Sequence, residues 1–160
     1  MTQDTFQSVF RVRAGIESVA AFHRDARALK RLTPPPILVQ FHQLEPLSEG
    51  AMVDFTMWFA FIPVHWKARH KNFHPLHGFT DVQVAGPLAK WEHTHSFEAV
   101  DDCTSLVRDS LVYQHHPGWR GGLTRLVFNR VGLSLLFAYR KLATRWLLRQ
   151  SRKTCGSTAG

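Results

Sequence analysis

Hydrophobic and polar residues alternate along most of the first three quarters of the chain, a pattern that predicts β-strands. The first such segment covers residues 5–14. The spacing of apolar residues then becomes helical, and two short helices are predicted to end before the prolines at 34–36, because proline cannot continue a helix. Six further alternating segments follow, at 38–45, 51–61, 64–73, 79–86, 89–99 and 104–115.

Short separators between these six segments predict an antiparallel meander, because tight turns join neighbouring antiparallel strands. From about residue 121 to 150 the apolar spacing is helical again, and one long helix is predicted there. Its apolar positions, which we expect to face the sheet, are Leu123, Leu126, Val127, Val131, Leu135, Phe137, Ala138, Leu142 and Trp146.

The predicted fold class is α+β. A sheet of seven strands must cover its apolar face, and the long helix is the only element large enough to do so. We therefore expect a curved seven-stranded antiparallel sheet around a long C-terminal helix, with two short helices after the first strand. We expect a single domain over residues 1–150 and a flexible tail over 151–160.

One predicted strand carries polar chemistry on the face that should be core. In "KWEHTHSFE", alternation places Trp91, His93, His95 and Phe97 on one side. Counting back from the next turn places Asp109 beside His93 or His95 if the last two strands pair as a hairpin. The polar residues expected on this inner face are His70, Asp81, Gln83, His93, His95, Asp109 and Tyr113.

This polar face has two compatible interpretations. An unsatisfied buried polar group costs about 1–3 kcal/mol, so a fully hydrogen-bonded Asp–His–Tyr network that fixes strand register is one interpretation. The other is a ligand site, in which an apolar wall carries a few polar groups that orient the bound molecule. The candidate ligand-binding residues are Trp66, His70, Phe79, Gln83, Trp91, His93, His95, Phe97, Asp109 and Tyr113.

Three stretches of the chain resemble the START-like, or SRPBCC, superfamily of helix-grip domains: "LKRLTPPP", "GFTDVQVAGPLAKWEHTHSFE" and "TSLVRDSLVYQHHPG". The predicted order of elements is also that of the superfamily, over about residues 5–150. The superfamily includes the major birch pollen allergen, lipid-transfer START domains and polyketide cyclases, and the stretches are similar to a bacterial branch of ligand-binding SRPBCC proteins. The resemblance implies a hydrophobic cavity between sheet and helix. It implies no single function, because the fold serves carriers, sensors and enzymes.

Two other kinds of chemistry would use the same side chains. His93 and His95 could converge on a zinc ion that Asp109 or His70 completes, but the ligand set depends on further contacts, so we assign no metal and no cofactor. A His–Asp pair beside a tyrosine could act as a general base on an acidic carbon, as in a small cyclase, dehydratase or isomerase. The catalytic candidates would then be His95, Asp109 and Tyr113.

The C-terminal part of the chain is strongly basic. Lys and Arg number 20 against 12 Asp and Glu, and no acidic residue follows Asp109. Such a segment, which includes Arg140, is either a solvated helix face or a surface for an anionic partner, and an anionic membrane is the candidate partner of the basic helix. The segment has few interleaved aromatic residues and no recognised module, which argues against nucleic acid. Trp58, on the outer side of its strand, favours a covered surface such as a homodimer contact.

The remaining features bound the location and lead to a predicted function. We expect neither a signal peptide nor a membrane-spanning helix, because no apolar run reaches about 18 residues. Cys103 and Cys155 lie too far apart to suggest a disulfide framework, so the cytoplasm is the default location. The predicted function is binding or carriage of a small hydrophobic ligand, namely a lipid, isoprenoid or polyketide-like molecule. Catalysis in the same cavity is the less favoured alternative.

Overall fold

The alternating segments form strands at the predicted places. The computed structural model describes residues 3–25 and 27–151. Strand β1 (Asp4–Val12) precedes helices α1 (Ile16–Arg24) and α2 (Ala28–Arg31). The six strands that follow are β2 (Leu38–Leu44), β3 (Met52–Phe59), β4 (Ile62–His74), β5 (Gly78–Ala85), β6 (Lys90–Asp101) and β7 (Thr104–Gln114). The chain continues with α3 (Gly118–Val127), α4 (Arg130–Leu147) and a 3₁₀ turn (Leu148–Ser151).

All seven strands belong to one antiparallel sheet, which confirms the predicted α+β architecture. Their order is β1-β7-β6-β5-β4-β3-β2, so β2 to β7 form the predicted meander and β1 pairs with β7. The register between β6 and β7 places His95 directly opposite Asp109. The hairpin between these strands therefore sets the His–Asp pairing that the sequence predicted.

The prediction of one continuous helix over 121–150 is wrong, because the chain breaks between α3 and α4. Asn129 caps α4 by accepting a 2.8 Å hydrogen bond from the Gly132 amide, and its side-chain amide donates to the carbonyls of Arg125 and Leu126. The neighbouring Phe128 turns inward and is buried. An asparagine that satisfies the free amides of a helix start favours a new helix at this point.

The predicted orientation of the C-terminal apolar stripe is also wrong. The buried residues of α4 are Leu133, Phe137 and Thr144, with the half-buried Arg140 between them. Helix α4 carries apolar residues on two opposite faces. The number of apolar residues on a face does not show which of the two faces packs on the sheet. Of the predicted stripe only Phe137 is buried; Leu123, Leu126, Val127, Val131, Leu135, Ala138, Leu142 and Trp146 are exposed.

Two apolar clusters hold the helices against the sheet. The larger cluster lies between β3, β4, β6, β7 and α4, and includes Trp66, Trp91 and Phe137. The smaller cluster surrounds α1 and includes Val19 and Phe97. Burial of such side chains stabilises the fold by roughly 1.5–3 kcal/mol for each fully buried large one.

Other expectations concern the ends of the chain and its cysteines. No helix among residues 3–25 and 27–151 is long and apolar enough to cross a membrane. Cys103, in the turn between β6 and β7, takes part in a disulfide bond, so cysteine usage gives no support to the cytoplasmic location. Cys155 and the predicted flexible tail beyond Ser151 lie outside the described residues.

Candidate functional site

A cavity of about 460 Å³ lies between the inner face of the sheet and helix α4. Strands β3 to β6 form one wall, and α1, α2, α3 and α4 contribute the others. Most of the lining is apolar, as with Phe55 and Met57 on β3 or Leu133 and Leu136 on α4. A cavity of this size and lining is typical of sites for small molecules.

Five polar residues lie at the floor of this cavity or directly behind it, on neighbouring strands, and we call them the polar row. They alternate imidazole and carboxylate in the order His70, Asp81, His95, Asp109 and His93. Each residue comes from an inward position of its strand, because neighbouring strands in register present their side chains to the same face. His70 pairs with Asp81 between β4 and β5, and His95 pairs with Asp109 between β6 and β7.

The polar row is held together by hydrogen bonds and close ion pairs. The Nδ1 atom of His70 lies 2.5 Å from Oδ1 of Asp81, whose other oxygen lies 3.4 Å from Nε2 of His95. On the other side, Nδ1 of His95 lies 2.8 Å from Oδ1 of Asp109 without the alignment of a good hydrogen bond. The same Asp109 oxygen lies 3.2 Å from Nε2 of His93.

Both carboxyl groups of the polar row are ionised at neutral pH. Burial alone would raise the pKa of Asp81, but hydrogen bonds from His70 and His95 outweigh it and hold the pKa well below its usual range. Burial acts on Asp109 in the same way, and the hydrogen bonds from His93 and His95 again lower its pKa.

The histidines differ in charge although they share one cavity. Burial lowers the pKa of His95, but its contacts with Asp109 and Asp81 outweigh this effect and raise the pKa to about 9, so the ring is an imidazolium at neutral pH. Burial lowers the pKa of His93 to about 4, with a further contribution from the positive charge of His95. The same two causes lower the pKa of His23 on α1 to about 4. His93 and His23 are therefore neutral.

Three side chains that line the cavity each carry a buried atom without a hydrogen-bond partner: Nε2 of His70, Nε of Arg140 and Nδ1 of His95, the last of which forms an ion pair with Asp109. Because Asp81 is ionised, Nδ1–H of His70 donates to it, and Nε2 of the same ring is left without a partner. The Nε–H of Arg140 is a donor. His70 and Arg140 therefore each leave a buried polar atom unpaired beside walls that are otherwise mostly apolar.

The buried charges at the cavity balance one another. Asp81 and Asp109 are negative, whereas His95 and Arg140 are positive. Burial lowers the pKa of Arg140, and the two carboxylates partly offset this effect. A neutral molecule can therefore enter the cavity without leaving a net buried charge beside it.

The polar row also contains a set of atoms that suits a metal ion. Asp81, His93 and His95 each offer one donor atom, and these atoms lie within 4.8 Å of one another. Imidazole and carboxylate are common zinc ligands. The carboxylates already contact imidazoles, however, and their charges are balanced, so the geometry of these residues does not require an ion.

The structure brings six of the ten predicted ligand-binding residues to the cavity wall. The other four lie beside or behind it: Asp109 supports His93 and His95, Gln83 donates to the Leu88 carbonyl, Phe97 packs in the cluster around α1, and Tyr113 packs against Trp91. Of the catalytic candidates, only His95 therefore faces the cavity. The six lining residues are Trp66, His70, Phe79, Trp91, His93 and His95.

His23 and Arg140 are among the cavity residues that were not predicted as site residues. His23 lies on α1, where its ring packs 4.7 Å from that of Phe97 and lines the cavity. Arg140 was read as part of a basic solvated segment. Its helical spacing from Leu133, Phe137 and Thr144 was the available signal, because residues three and four apart share a helix face.

No family model and no curated protein matches the chain. Solved structures do match it over most of its length. One is the Zhui aromatase/cyclase from Streptomyces sp. R1128, which is 15% identical with a TM-score of 0.65, the match covering 91% of this chain and 96% of that chain. Another is norcoclaurine synthase from Thalictrum flavum in complex with dopamine and hydroxybenzaldehyde, with 15% identity, a TM-score of 0.65 and coverage of 93% and 88%.

A START superfamily protein from Mycobacterium smegmatis matches equally well, with 13% identity, a TM-score of 0.65 and coverage of 91% of this chain and 97% of that chain. Identities this low establish the fold and leave the activity open. Together with the sheet order and the C-terminal helix, these likenesses confirm the predicted resemblance: the chain has the helix-grip fold of the START-like superfamily.

Proposed function

We propose that the chain binds a small hydrophobic molecule that carries a hydroxyl group. The observation that carries this proposal is the pair of unpartnered atoms at the apolar cavity, Nε2 of His70 and Nε of Arg140. A hydroxyl group of the ligand can donate to an unprotonated imidazole nitrogen or accept from the Arg140 N–H. Buried polar groups are almost always paired, so a ligand that pairs both would gain affinity.

The rest of the cavity sets the class of the ligand. Removal of apolar surface from water contributes about 25 cal/mol per Å², so an apolar body supplies most of the affinity. Lipid alcohols, isoprenoid alcohols and polyketide-like phenols combine such a body with a hydroxyl group. The likeness to an aromatase/cyclase, and to a synthase in complex with dopamine and hydroxybenzaldehyde, supports the aromatic members of this class.

Three probes of similar shape test the proposal: naphthalene, 2-naphthol and 2-naphthoate, each titrated by calorimetry at pH 7. We expect 2-naphthol to bind roughly tenfold more tightly than naphthalene, because a hydrogen bond to a charged group contributes about 1.5–3 kcal/mol. The substitutions His70→Phe and Arg140→Met should each reduce this preference while naphthalene still binds. Arg130→Met is the matched control on the exposed start of α4 and should change nothing.

The outcomes separate the parts of the proposal. Equal affinity for naphthalene and 2-naphthol would contradict the hydroxyl preference. A clear preference for 2-naphthoate would show that Arg140 selects an anion instead. If none of the three probes binds, and native mass spectrometry of the purified chain finds no ligand, the cavity is not a host for small molecules.

A second candidate function is acid–base catalysis, which one observation favours. Asp81 orients the ring of His70 so that its free Nε2 belongs to the cavity wall, which is the arrangement of a general base with its supporting carboxylate. In this reaction His70 takes a proton from the carbon beside a ketone, and the Arg140 N–H stabilises the enolate oxygen. Return of the same proton to another carbon gives an isomerisation, whereas attack of the enolate carbon on a second carbonyl of the ligand, with the proton passing from His70 to the new alkoxide, gives a cyclisation.

Hydrogen–deuterium exchange of 2-tetralone, followed by NMR, tests this second function. Catalysis predicts that the chain accelerates exchange at the carbons beside the carbonyl and that His70→Gln abolishes the acceleration. An unaccelerated exchange with bound 2-tetralone would leave binding as the function. Carriage of the ligand, the cytoplasmic location and a homodimer stay predictions.

A further inference from the structure

The outward faces of α3 and α4 carry an unusually apolar surface, which we call the helix ladder. These side chains are 62–75% exposed, although each is a large hydrophobic or aromatic group. Scattered exposed residues of this kind are ordinary, whereas a contiguous row marks an interaction site. The helix ladder consists of Trp119, Leu126, Val131, Leu135, Leu142 and Trp146.

The helix ladder lies opposite the face by which α4 is anchored. At 100° per residue, its four residues on α4 fall within an arc of about 60° around the helix axis. The anchored residues Leu133, Phe137 and Thr144 lie on the other side of the helix. The sheet therefore cannot cover the helix ladder, and α4 is apolar toward both the protein and its surroundings.

The segment that carries the helix ladder contains basic residues and no acidic ones. Between Gly118 and Arg149 the sequence contains seven Arg and Lys residues and no Asp or Glu. Arg140 faces the cavity, and the other six are exposed or half-buried: Arg120, Arg125, Arg130, Lys141, Arg145 and Arg149. An exposed apolar row with basic flanks is typical of helices that lie in the interface of anionic membranes.

This charge pattern discriminates between the surfaces that could cover the helix ladder. A second copy of the chain would bring the same cations together across the contact, which like-charge repulsion disfavours. Nucleic acid would satisfy the cations but would leave the leucines in water. An anionic bilayer satisfies both, because its acyl boundary accepts the apolar side chains and its headgroups accept the arginines.

The helix ladder also borders the mouth of the cavity. Leu126, Val127 and Leu135 are exposed to solvent and at the same time line the cavity. A surface that receives the helix ladder would therefore contact the rim through which a ligand enters.

We propose that α3 and α4 dock the protein on anionic lipid bilayers through the helix ladder, with the cavity mouth turned toward the membrane. An apolar ligand would then pass between bilayer and cavity without crossing bulk water. This use of the surface rests on the proposed binding function, whereas docking itself depends only on the helix ladder and its basic flanks.

Vesicle flotation with the ligand-free full chain tests the proposal. We expect binding to vesicles of 70% phosphatidylcholine and 30% phosphatidylglycerol and at least tenfold weaker binding to pure phosphatidylcholine. The double substitution Leu142→Ser with Trp146→Ser should weaken binding to the anionic vesicles by roughly tenfold or more, because two large apolar groups no longer enter the interface. Neither residue lines the ligand cavity, so naphthol binding should be unchanged.

Matched controls come from exposed residues of the sheet. Val84→Ser with Val100→Ser removes two exposed apolar groups outside the helix ladder and should leave vesicle binding unchanged.

Arg125→Glu with Arg130→Glu should abolish the preference for anionic vesicles, whereas Arg69→Glu with Lys71→Glu, on β4, should reduce it far less. Circular dichroism verifies the fold of every variant.

Three results would overturn the proposal. One is the absence of wild-type binding to the anionic vesicles. Another is an equal loss in the ladder and control variants. The third is a dimer, detected by sedimentation velocity, that Leu142→Ser with Trp146→Ser converts to monomer, since a second copy would then cover the helix ladder. If the protein binds naphthol but not vesicles, the docking proposal fails and the proposed binding function is unaffected. If it binds vesicles but not naphthol, the binding function fails and the docking proposal is unaffected.

Discussion

At the scale of single residues, the polar row shows how a mostly apolar cavity can hold five polar side chains. Each carboxylate contacts imidazoles on both sides, and one imidazole carries the compensating positive charge. A buried ion pair of this kind contributes little net stability as a whole, but removal of one partner is strongly destabilising. The row therefore fixes the register of four strands and the positions of the polar side chains at the cavity.

The charge of His95 predicts how stability depends on pH. Its pKa rises from 6.5 to about 9 on folding, so its stabilising contribution is complete below pH 6.5 and is lost as the pH rises through 9. We expect the free energy of unfolding to fall by about 3 kcal/mol over this range, since one pKa unit corresponds to roughly 1.4 kcal/mol. Urea denaturation at pH values from 4 to 10 measures the profile.

The variant His95→Gln should lose this alkaline decline. Its acid decline should remain, because the pKa values of His23 and His93 fall to about 4 mainly through burial, and their contribution is lost as the pH falls from 6.5 through 4. His65→Gln is the control, since that ring is 55% exposed. An unchanged alkaline decline in His95→Gln would show that another group causes it.

The residue-scale predictions succeeded where strand pairing decides the contact. Counting from the turn between β6 and β7 placed Asp109 beside His93 or His95, and the register puts it opposite His95. His23 and Arg140 could not be placed in this way, because their contacts depend on how the helices lie on the sheet. Tyr113 has the right alternation but packs near Trp91 at the edge of the cavity, since alternation gives a face of the sheet and no position along it.

At the scale of elements, the break between α3 and α4 decides what the C-terminal segment does. Asn129 caps α4 and also bonds the last carbonyls of α3, so one side chain joins the two helices. Phe128 uses the turn to reach Trp66 and Trp91, with ring centroids 6.0 and 5.6 Å away. A continuous helix would carry this ring away from the position it takes here.

Removal of the cap should weaken the junction. We expect Asn129→Ala to lower the free energy of unfolding by about 1 kcal/mol, the usual cost of an N-cap asparagine. Asn129→Asp is the matched control: it keeps the acceptor for the Gly132 amide and loses only the donors to α3. Chemical denaturation compares the three proteins. Equal stability of wild type and Asn129→Ala would mean that packing of Phe128 alone determines the break.

The strands of the sheet were predictable because the alternation of apolar and polar residues, with a period of two, is a strong and local signal. The C-terminal helices were harder, since Leu133 and Phe137 are apolar but so are Leu135 and Leu142 on the other side. Periodicity locates such a helix and gives its length. It does not identify the face that packs when both faces are apolar.

At the scale of the whole molecule, a cavity remains between the curved sheet and the C-terminal helices. Aromatic rings such as Trp66, Trp91 and Phe128 fill one part of the space between sheet and helices. The cavity occupies the part beside the polar row. The resemblance to helix-grip domains implied such a hollow, but its volume depends on side-chain packing that no sequence pattern reports.

A cavity-filling substitution should therefore separate stability from binding. Ala68 is buried on β4 and lines the cavity, so Ala68→Leu adds three carbons to the hollow. We expect the ligand-free protein to gain about 0.5–2 kcal/mol in the free energy of unfolding and naphthol affinity to fall. Thermal denaturation and calorimetry measure the two effects. A variant that is less stable would show that the wall near Ala68 is already closely packed.

The balance of buried charge at the cavity, two carboxylates against two cations, has a consequence for how the protein responds to its medium. A cavity whose resolved buried charges sum to zero produces only a weak electric field in the solvent. Salt should therefore have little effect on its affinity for an uncharged ligand. The outer helices retain an uncompensated positive field that ionic strength screens within about 8 Å at physiological concentration. The proposed binding of a neutral ligand and the proposed docking on an anionic bilayer would therefore respond differently to salt, although both involve the same pair of helices.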